Sequence, residues 1–406
     1  MGYDKKIMLQ RKKYNMTTVE ELMGQAKEFI SFMPGVTEIL FYYVLLAVVK
    51  PFLVSQRIYP NFMLAVIGPS GHLKTTLVRL FALWLEHDNL QEMAFADVTG
   101  QSALDARIKE LQGMNLIMDD MHAFSGNYRR NKQTELLDYL SRHCDSRNGL
   151  ANIIVTGEMV PPEAIFSTRD RMLQLQIPQM SAEELKAYKH KIGKLPENFM
   201  AQLSERFAET LEMSRSKVEC DIGLFHEKYE EPAGLDSTTR IAAHVEYILI
   251  TQFLYKKYFC ANNESASMEK QFKEALHRQA LRLHNQLCNQ RQKEEEVDYV
   301  EVVYEILSCN KYLTMESVYG EYKPSADNFV LHNGKFYITK TALQKGLLTY
   351  LKRTVSMKAV SDALHDAGVI EEDCSARTKK FQGTRHYVIS RQAIELYCRT
   401  KENFEI

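Results

Sequence analysis

The stretch Phe62-Met-Leu-Ala-Val-Ile67-Gly-Pro-Ser-Gly71-His-Leu-Lys74-Thr-Thr76 decides the reading of this chain. Six apolar residues, some β-branched, read as a buried strand, and the segment Gly68, Pro69, Ser70, Gly71, His72, Leu73, Lys74, Thr75 and Thr76 reads as a phosphate-binding loop entering a helix. The chemistry needs small residues where backbone N–H groups curl round phosphate oxygens, a Lys that reaches the β and γ phosphates, and a hydroxyl to ligate Mg²⁺ at the helix N-terminus. Lys74 and Thr75 stand in those places. Leu73 departs from the pattern, which has Gly just before the Lys. The loop therefore either keeps a negative φ there or bears a cost of about 1 kcal/mol for left-handed geometry.

Downstream, Met114-Asn-Leu-Ile-Met118 delivers Asp119-Asp120, as a Walker B strand does. Asp119 is expected to hold Mg²⁺ with Thr75, and Asp120 to polarise the attacking water, although Asp reaches about one C–C bond less far than the usual Glu. Asn152-Ile-Ile-Val-Thr156-Gly-Glu158 ends a further strand in a polar side chain, which makes Thr156 a candidate γ-phosphate sensor, or simply a good strand residue. Ser167-Thr-Arg169-Asp-Arg171 precedes the strand Met172-Leu-Gln-Leu-Gln-Ile177. Arg169 and Arg171 are either arginine fingers for a neighbouring subunit's nucleotide or ordinary surface charges.

The remaining pattern fits around these motifs. Thr17-Thr-Val-Glu20 reads as a capping box, and the run Ile39 to Val49 as a core helix too short to span a bilayer, which argues against membrane association. The expected order is strand 62–67, helix 75–86, a strand near 93–98, helix 102–112, strand 114–118, helix 132–144 and strands 151–156 and 172–177. That alternation means a mainly parallel sheet flanked by helices. Residues 181–297 read as helical throughout, with Arg291 to Glu296 a linker or an exposed helix face. Residues 316–334 read as irregular. Strand 336–338, helices 340–352 and 356–367 and a hairpin through His386 to Ile389 outline a winged helix. Its second helix and the cations Arg377, Lys379, Lys380 and Arg385 suit duplex DNA, whereas Asp362 and Asp366 suit a protein partner.

Composition is that of an ordinary globular protein, with 406 residues and a net charge of −1. Both ends are mildly basic, with five Lys/Arg against one Asp in the first thirteen residues and twelve Lys/Arg against eight Asp/Glu in 340–406. Seven dispersed Cys give neither a disulfide framework nor a zinc pattern, and point to a reducing cytoplasm. The loop Phe124-Ser-Gly-Asn-Tyr-Arg-Arg-Asn-Lys132 mixes cations and aromatics, as a single-stranded polyanion requires, or is a solvated connection.

Together these residues resemble AAA+ ATPases, and within them the helicase-like ATPases of phages, plasmids and integrating islands related to superfamily 3 and to self-loading replicative helicases. The resemblance covers about residues 40–260 and runs through Gly68 to Thr76, Asp119-Asp120, Val155 to Glu158 and Arg169/Arg171. It implies an α/β P-loop NTPase core (57–180) after an N-terminal helical segment (1–56), followed by a helical lid (181–297), a connector (298–335) and a winged-helix domain (336–406). It also implies ATP and Mg²⁺ as cofactors and a homo-oligomer, a hexameric ring with sites between subunits. Such a ring moves single-stranded DNA through its pore. Arg240, opening helix Ile241 to Phe259, takes the role of second sensor in this resemblance. A cation at a helix N-terminus is otherwise ill placed and calls for a specific partner. The function expected is a DNA helicase or translocase for mobile-element replication. The alternatives are an ATP-switched signalling or defence ATPase, and a nucleotide-locked scaffold.

Overall fold

In this computed structural model, residues 18–402 are described except 86–89, 99, 122–126, 146, 148, 162–163, 165, 195–197, 237, 261–265, 296, 310–311, 317–322, 352–354 and 372–376. The chain divides into two units, one of Met1–Pro161 and Phe166–Cys288, the other of Pro162–Ile165 and Asn289–Ile406.

In the first unit the apolar run forms β1 (Met63–Ile67), which lies between β4 (Asn152–Gly157) and β5 (Met172–Gln176). With β2 (Glu92–Ala94) and β3 (Asn115–Met121) these make a five-stranded sheet of order β2-β3-β4-β1-β5, every pair parallel. All C-terminal strand ends therefore lie along one edge. β4 is buried along its whole length, as a strand covered on both faces must be.

Two helices precede the sheet, α1 (Val19–Ile30) and α2 (Thr37–Ser55). The capping box sits one residue later than the sequence suggested: Thr18 is the N-cap and Glu21 returns the bond. α2 is longer than the eleven-residue run and, by length and composition, could cross a membrane, yet 83% of its most apolar window is buried inside the protein. It is strapped to the start of β4. Tyr43 donates to the Ile153 carbonyl at 2.8 Å, Asn152 donates to the Tyr43 carbonyl at 2.6 Å, and the fully buried Lys50 donates to the Ala151 carbonyl at 2.8 Å.

Helices connect and cover the strands: α3 (Lys74–Ala82), α4 (Gln101–Glu110), α5 (Asn127–His143) and the single turn α6 (Phe166–Arg169). The first is shorter than expected. Beyond Ala82 the backbone N–H groups of Trp84 and Leu85 donate to the buried Gln91 side chain, which replaces further helical bonds. Of the expected loop 124–132, residues 124–126 lie outside the described set and α5 takes the rest. From residue 181 to Glu295 the described residues are helical or irregular, in α7 (Ala182–Ile192), α8 (Phe199–Met213), α9 (Arg215–Lys228), α10 (Ile241–Tyr258) and α11 (Ala266–Glu295). The run from Arg291 is thus helical to Glu295.

The second unit holds α12 (Tyr299–Ser308), a sheet of order β6-β7-β8-β10-β9, and α13 (Lys340–Leu351), α14 (Met357–Asp366) and α15 (Arg391–Glu402). Val303, Ile306, Phe329, Ile338, Leu343, Val360 and Ile389 share its core. The segment read as irregular begins at the last residue of β6 (Thr314–Glu316) and contains β7 (Asn328–His332), which pairs with β8 (Lys335–Ile338). Asn333 and Gly334, both at positive φ (49° and 73°), make the two-residue turn between them. The expected C-terminal hairpin is β9 (Lys379–Phe381) with β10 (Thr384–Ser390), turned at Gln382 and Gly383.

Burial pushes the Lys50 ammonium down to about 8. Between that value and the ordinary lysine range near 10.5 the unfolded chain binds more protons, so this group makes stability rise with pH over that window. Urea unfolding should find wild type gaining on the order of 3 kcal/mol relative to Lys50→Met between pH 7.5 and 10.5. A constant difference between the two proteins would contradict the buried charge.

Candidate functional site

The parallel register decides which side chains meet. Val66 pairs with Thr156, Ile67 with Gly157, Met118 with Val155, and Ala94 with Asp119. The loop leaving β1, the end of β3 and the end of β4 therefore share the C-terminal edge, where open parallel sheets bind ligands.

Within the loop, a Cβ on Gly68 would stand 2.9 Å from the Ile177 carbonyl oxygen, so only glycine fits there. Gly71 has φ 76° with open space around it. Of the two geometries open to Leu73, the chain adopts the left-handed one, φ 65° and ψ 8°, at a cost of about 1 kcal/mol. Its side chain is 8% exposed, and that burial offsets the cost. His72 packs its imidazole against the Ser70 carbonyl at 2.8 Å, and Ser70 and Thr76 are exposed. Lys74 opens α3 and donates to the Pro69 carbonyl at 2.7 Å, closing the loop on itself. Burial lowers the Lys74 ammonium below the usual lysine range, while Glu158, Asp119 and Asp120, in that order, pull it back up.

One carboxylate oxygen gathers the centre. Asp119 Oδ1 accepts from the Thr75 hydroxyl at 2.8 Å and from the Thr156 hydroxyl. Thr156 is 1% exposed. Two side chains absent from the sequence reading complete the arrangement. Arg79, one turn beyond Thr75 on α3, forks onto Glu92 with its Nη2 2.6 Å from Oε1, and the same nitrogen is 4.0 Å from Asp119 Oδ2. Gly157 lets β4 approach a bulge in β3: the register slips between Met118 and Met121, and a Cβ on Gly157 would lie 2.3 Å from the Met121 carbonyl oxygen. Asp120 occupies that bulge at φ 71°, exposed.

The donor set is hard oxygen, a hydroxyl and a carboxylate beside the free N–H groups of a helix N-terminus. That set suits Mg²⁺ and a phosphate chain. Thr75 and Asp119 are the residues that would hold such an ion, with Gly68 to Thr76 around the phosphates.

Arg169, Arg171 and Arg240 are not brought to this edge. Arg171 immediately precedes β5, whose first residue Met172 pairs with Met63, the first of β1. At about 3.3 Å per residue the two arginines enter roughly 20 Å from the glycine loop. Arg169 donates to the Pro161 carbonyl at 2.9 Å. Arg240, expected near the nucleotide as a second sensor, also stands at this far edge. Its backbone N–H donates to Asp170 Oδ1 at 2.8 Å and its guanidinium Nε is 3.5 Å from Oδ2. Asp170 is the partner that a cation at the start of α10 called for. Burial, and then the charge of Arg240, lower Arg171.

The cations of the C-terminal hairpin are partly spent on internal pairs. Arg377 bonds Asp362, and Lys379 reaches Glu371 at 3.1 Å, which also takes Lys335 at 2.6 Å. Arg385 donates to the Thr378 hydroxyl at 3.3 Å, and both it and Lys380 are exposed.

No protein-family model matches the chain, and no curated protein matches it by sequence. Among solved structures it is similar to one described as "SCCmec type IV Cch - active helicase", with 12% identity, a TM-score of 0.49, and coverage of 95% of this chain and 73% of that one.

Gly157→Ala is expected to destabilise the protein by roughly 2 kcal/mol or more, because backbone rather than a flexible side chain blocks the new methyl. A urea midpoint unchanged from wild type would mean that β3 and β4 are not held as closely as described.

Proposed function

We propose that the chain is a Mg²⁺-dependent ATPase that uses hydrolysis to move along DNA, as a helicase or translocase. The observation that carries the reading is the convergence of the Thr75 and Thr156 hydroxyls on Asp119 Oδ1 beside the loop that Lys74 closes. In this reading Lys74 leaves the Pro69 carbonyl for the β and γ phosphates, Thr75 and Asp119 hold the ion, and Thr156 registers the γ-phosphate through Asp119. The ion, when bound, neutralises charge on the phosphate oxygens. Everything else follows from positioned groups of the chain itself.

The distance of Arg169 and Arg171 from their own loop supports a site completed by another copy. An arginine roughly 20 Å from the phosphates in its own chain can act only on a neighbour's, which is what a closed ring supplies. Arg240, beside Asp170 at the same edge, belongs to that shared surface in this account. A hexamer follows from the resemblance to AAA+ ATPases, as do a lid over 181–297, a winged helix over 336–406 and a role in mobile-element replication. The exposed Lys380 and Arg385 are the wing cations left for phosphate contacts.

Steady-state ATP hydrolysis with and without single-stranded DNA tests the reading. Wild type is expected to be stimulated severalfold, Lys74→Ala to be inactive, and Arg169→Ala to lose on the order of a thousandfold. Mixing the two inactive variants should restore part of the activity, because some interfaces then carry both an intact loop and an intact arginine. Absence of stimulation with ATP still bound would favour a switch or scaffold. Failure of the mixture to recover would remove the shared site.

A further inference from the structure

The edge that carries Asp119 presents a third carboxylate. Glu158 follows Gly157 directly, its N–H donates to the Met121 carbonyl at 3.1 Å, and the Gly157 carbonyl accepts from the N–H of Gly68, the first residue of the glycine loop, at 3.2 Å. Its backbone is thus clamped between the bulge of β3 and the start of the loop. Its side chain is exposed and, among the described residues, its carboxylate has no hydrogen-bond or ion-pair partner. Through Gly157 it adjoins the first residue of the loop that Lys74 closes.

Asp120 is less suited to polarising the attacking water. It stands at φ 71° within the bulge, and its side chain is shorter by one methylene. Glu158 has the longer reach and a backbone held at its own N–H and at the Gly157 carbonyl.

We propose that Glu158, rather than Asp120, is the carboxylate that polarises the attacking water. The inference rests on the reading of this loop as an ATP-hydrolysing site. The water oxygen bonds to the γ-phosphorus as the bond from that phosphorus to the β,γ-bridging oxygen breaks. The electron pair of the broken bond stays with ADP, and the proton of the water passes to the Glu158 carboxylate before release to solvent.

The test compares wild type, Glu158→Gln, Glu158→Asp and Asp120→Asn in two measurements: ATP affinity by calorimetric titration, and the rate of a single turnover. Glu158→Gln is isosteric at an exposed position and should bind ATP within about threefold of wild type while its turnover falls by a factor of about a hundred or more. Glu158→Asp, which keeps the carboxylate, should fall in between, and Asp120→Asn should lose less than about tenfold. Turnover by Glu158→Gln close to wild type, or a larger loss in Asp120→Asn, overturns the assignment to Glu158 while leaving the ATPase reading intact. Wild-type protein that binds no ATP overturns both.

Discussion

Asp119 Oδ1 is the atom on which the rest of the site depends. It draws one hydroxyl from the helix that opens after the glycine loop and another from the end of β4, so three elements far apart in sequence are fixed to one oxygen. A fully parallel sheet makes that meeting possible, because it sends the ends of β1, β3 and β4 to the same edge. The close approach of β4 to the bulge in β3 then sets the aim of the carboxylates, and it tolerates no side chain at Gly157. The left-handed Leu73 is a local strain held by its own burial.

The same polarity separates two kinds of residue. Loop, hydroxyls and carboxylates gather at the C-terminal edge, while Arg169, Arg171 and Arg240 gather with Asp170 at the other. No rotamer change closes a gap of roughly 20 Å, since an extended Arg side chain spans only about a third of it. In the proposed ring, each copy would therefore supply phosphate-binding groups on one face and cations on the other.

Much of this was legible in the sequence, for physical reasons that also mark where legibility stopped. A strand running into a glycine loop, and an apolar strand ending in Asp-Asp, are local patterns, so Lys74, Thr75 and Asp119 could be named from short windows. Thr156 was readable as a strand-end hydroxyl. Glu158 and Arg79 were not singled out, because what distinguishes them is their neighbours across the sheet and helix rather than their own surroundings in sequence. Arg240 showed the reverse case: its unfavourable place at a helix start signalled a partner, but only the tertiary structure identified Asp170. The strand 328–332 was missed although Asn333-Gly334 is a strong hairpin signal, and α15 went unread at the chain end. The helix after the loop stops at Ala82 because Gln91, several residues on, takes over the next donors.

The central claim is that Asp119, held by Thr75 and Thr156, makes a metal-dependent nucleotide site. Calorimetric titration of ATP into wild type and Asp119→Asn, each with Mg²⁺ and with EDTA, addresses it most directly. The account predicts that wild type binds ATP about tenfold or more tightly with Mg²⁺ than without, and that the difference nearly vanishes in Asp119→Asn. An Asp119→Asn protein that keeps the full Mg²⁺ dependence, or a wild type that shows none, would contradict it.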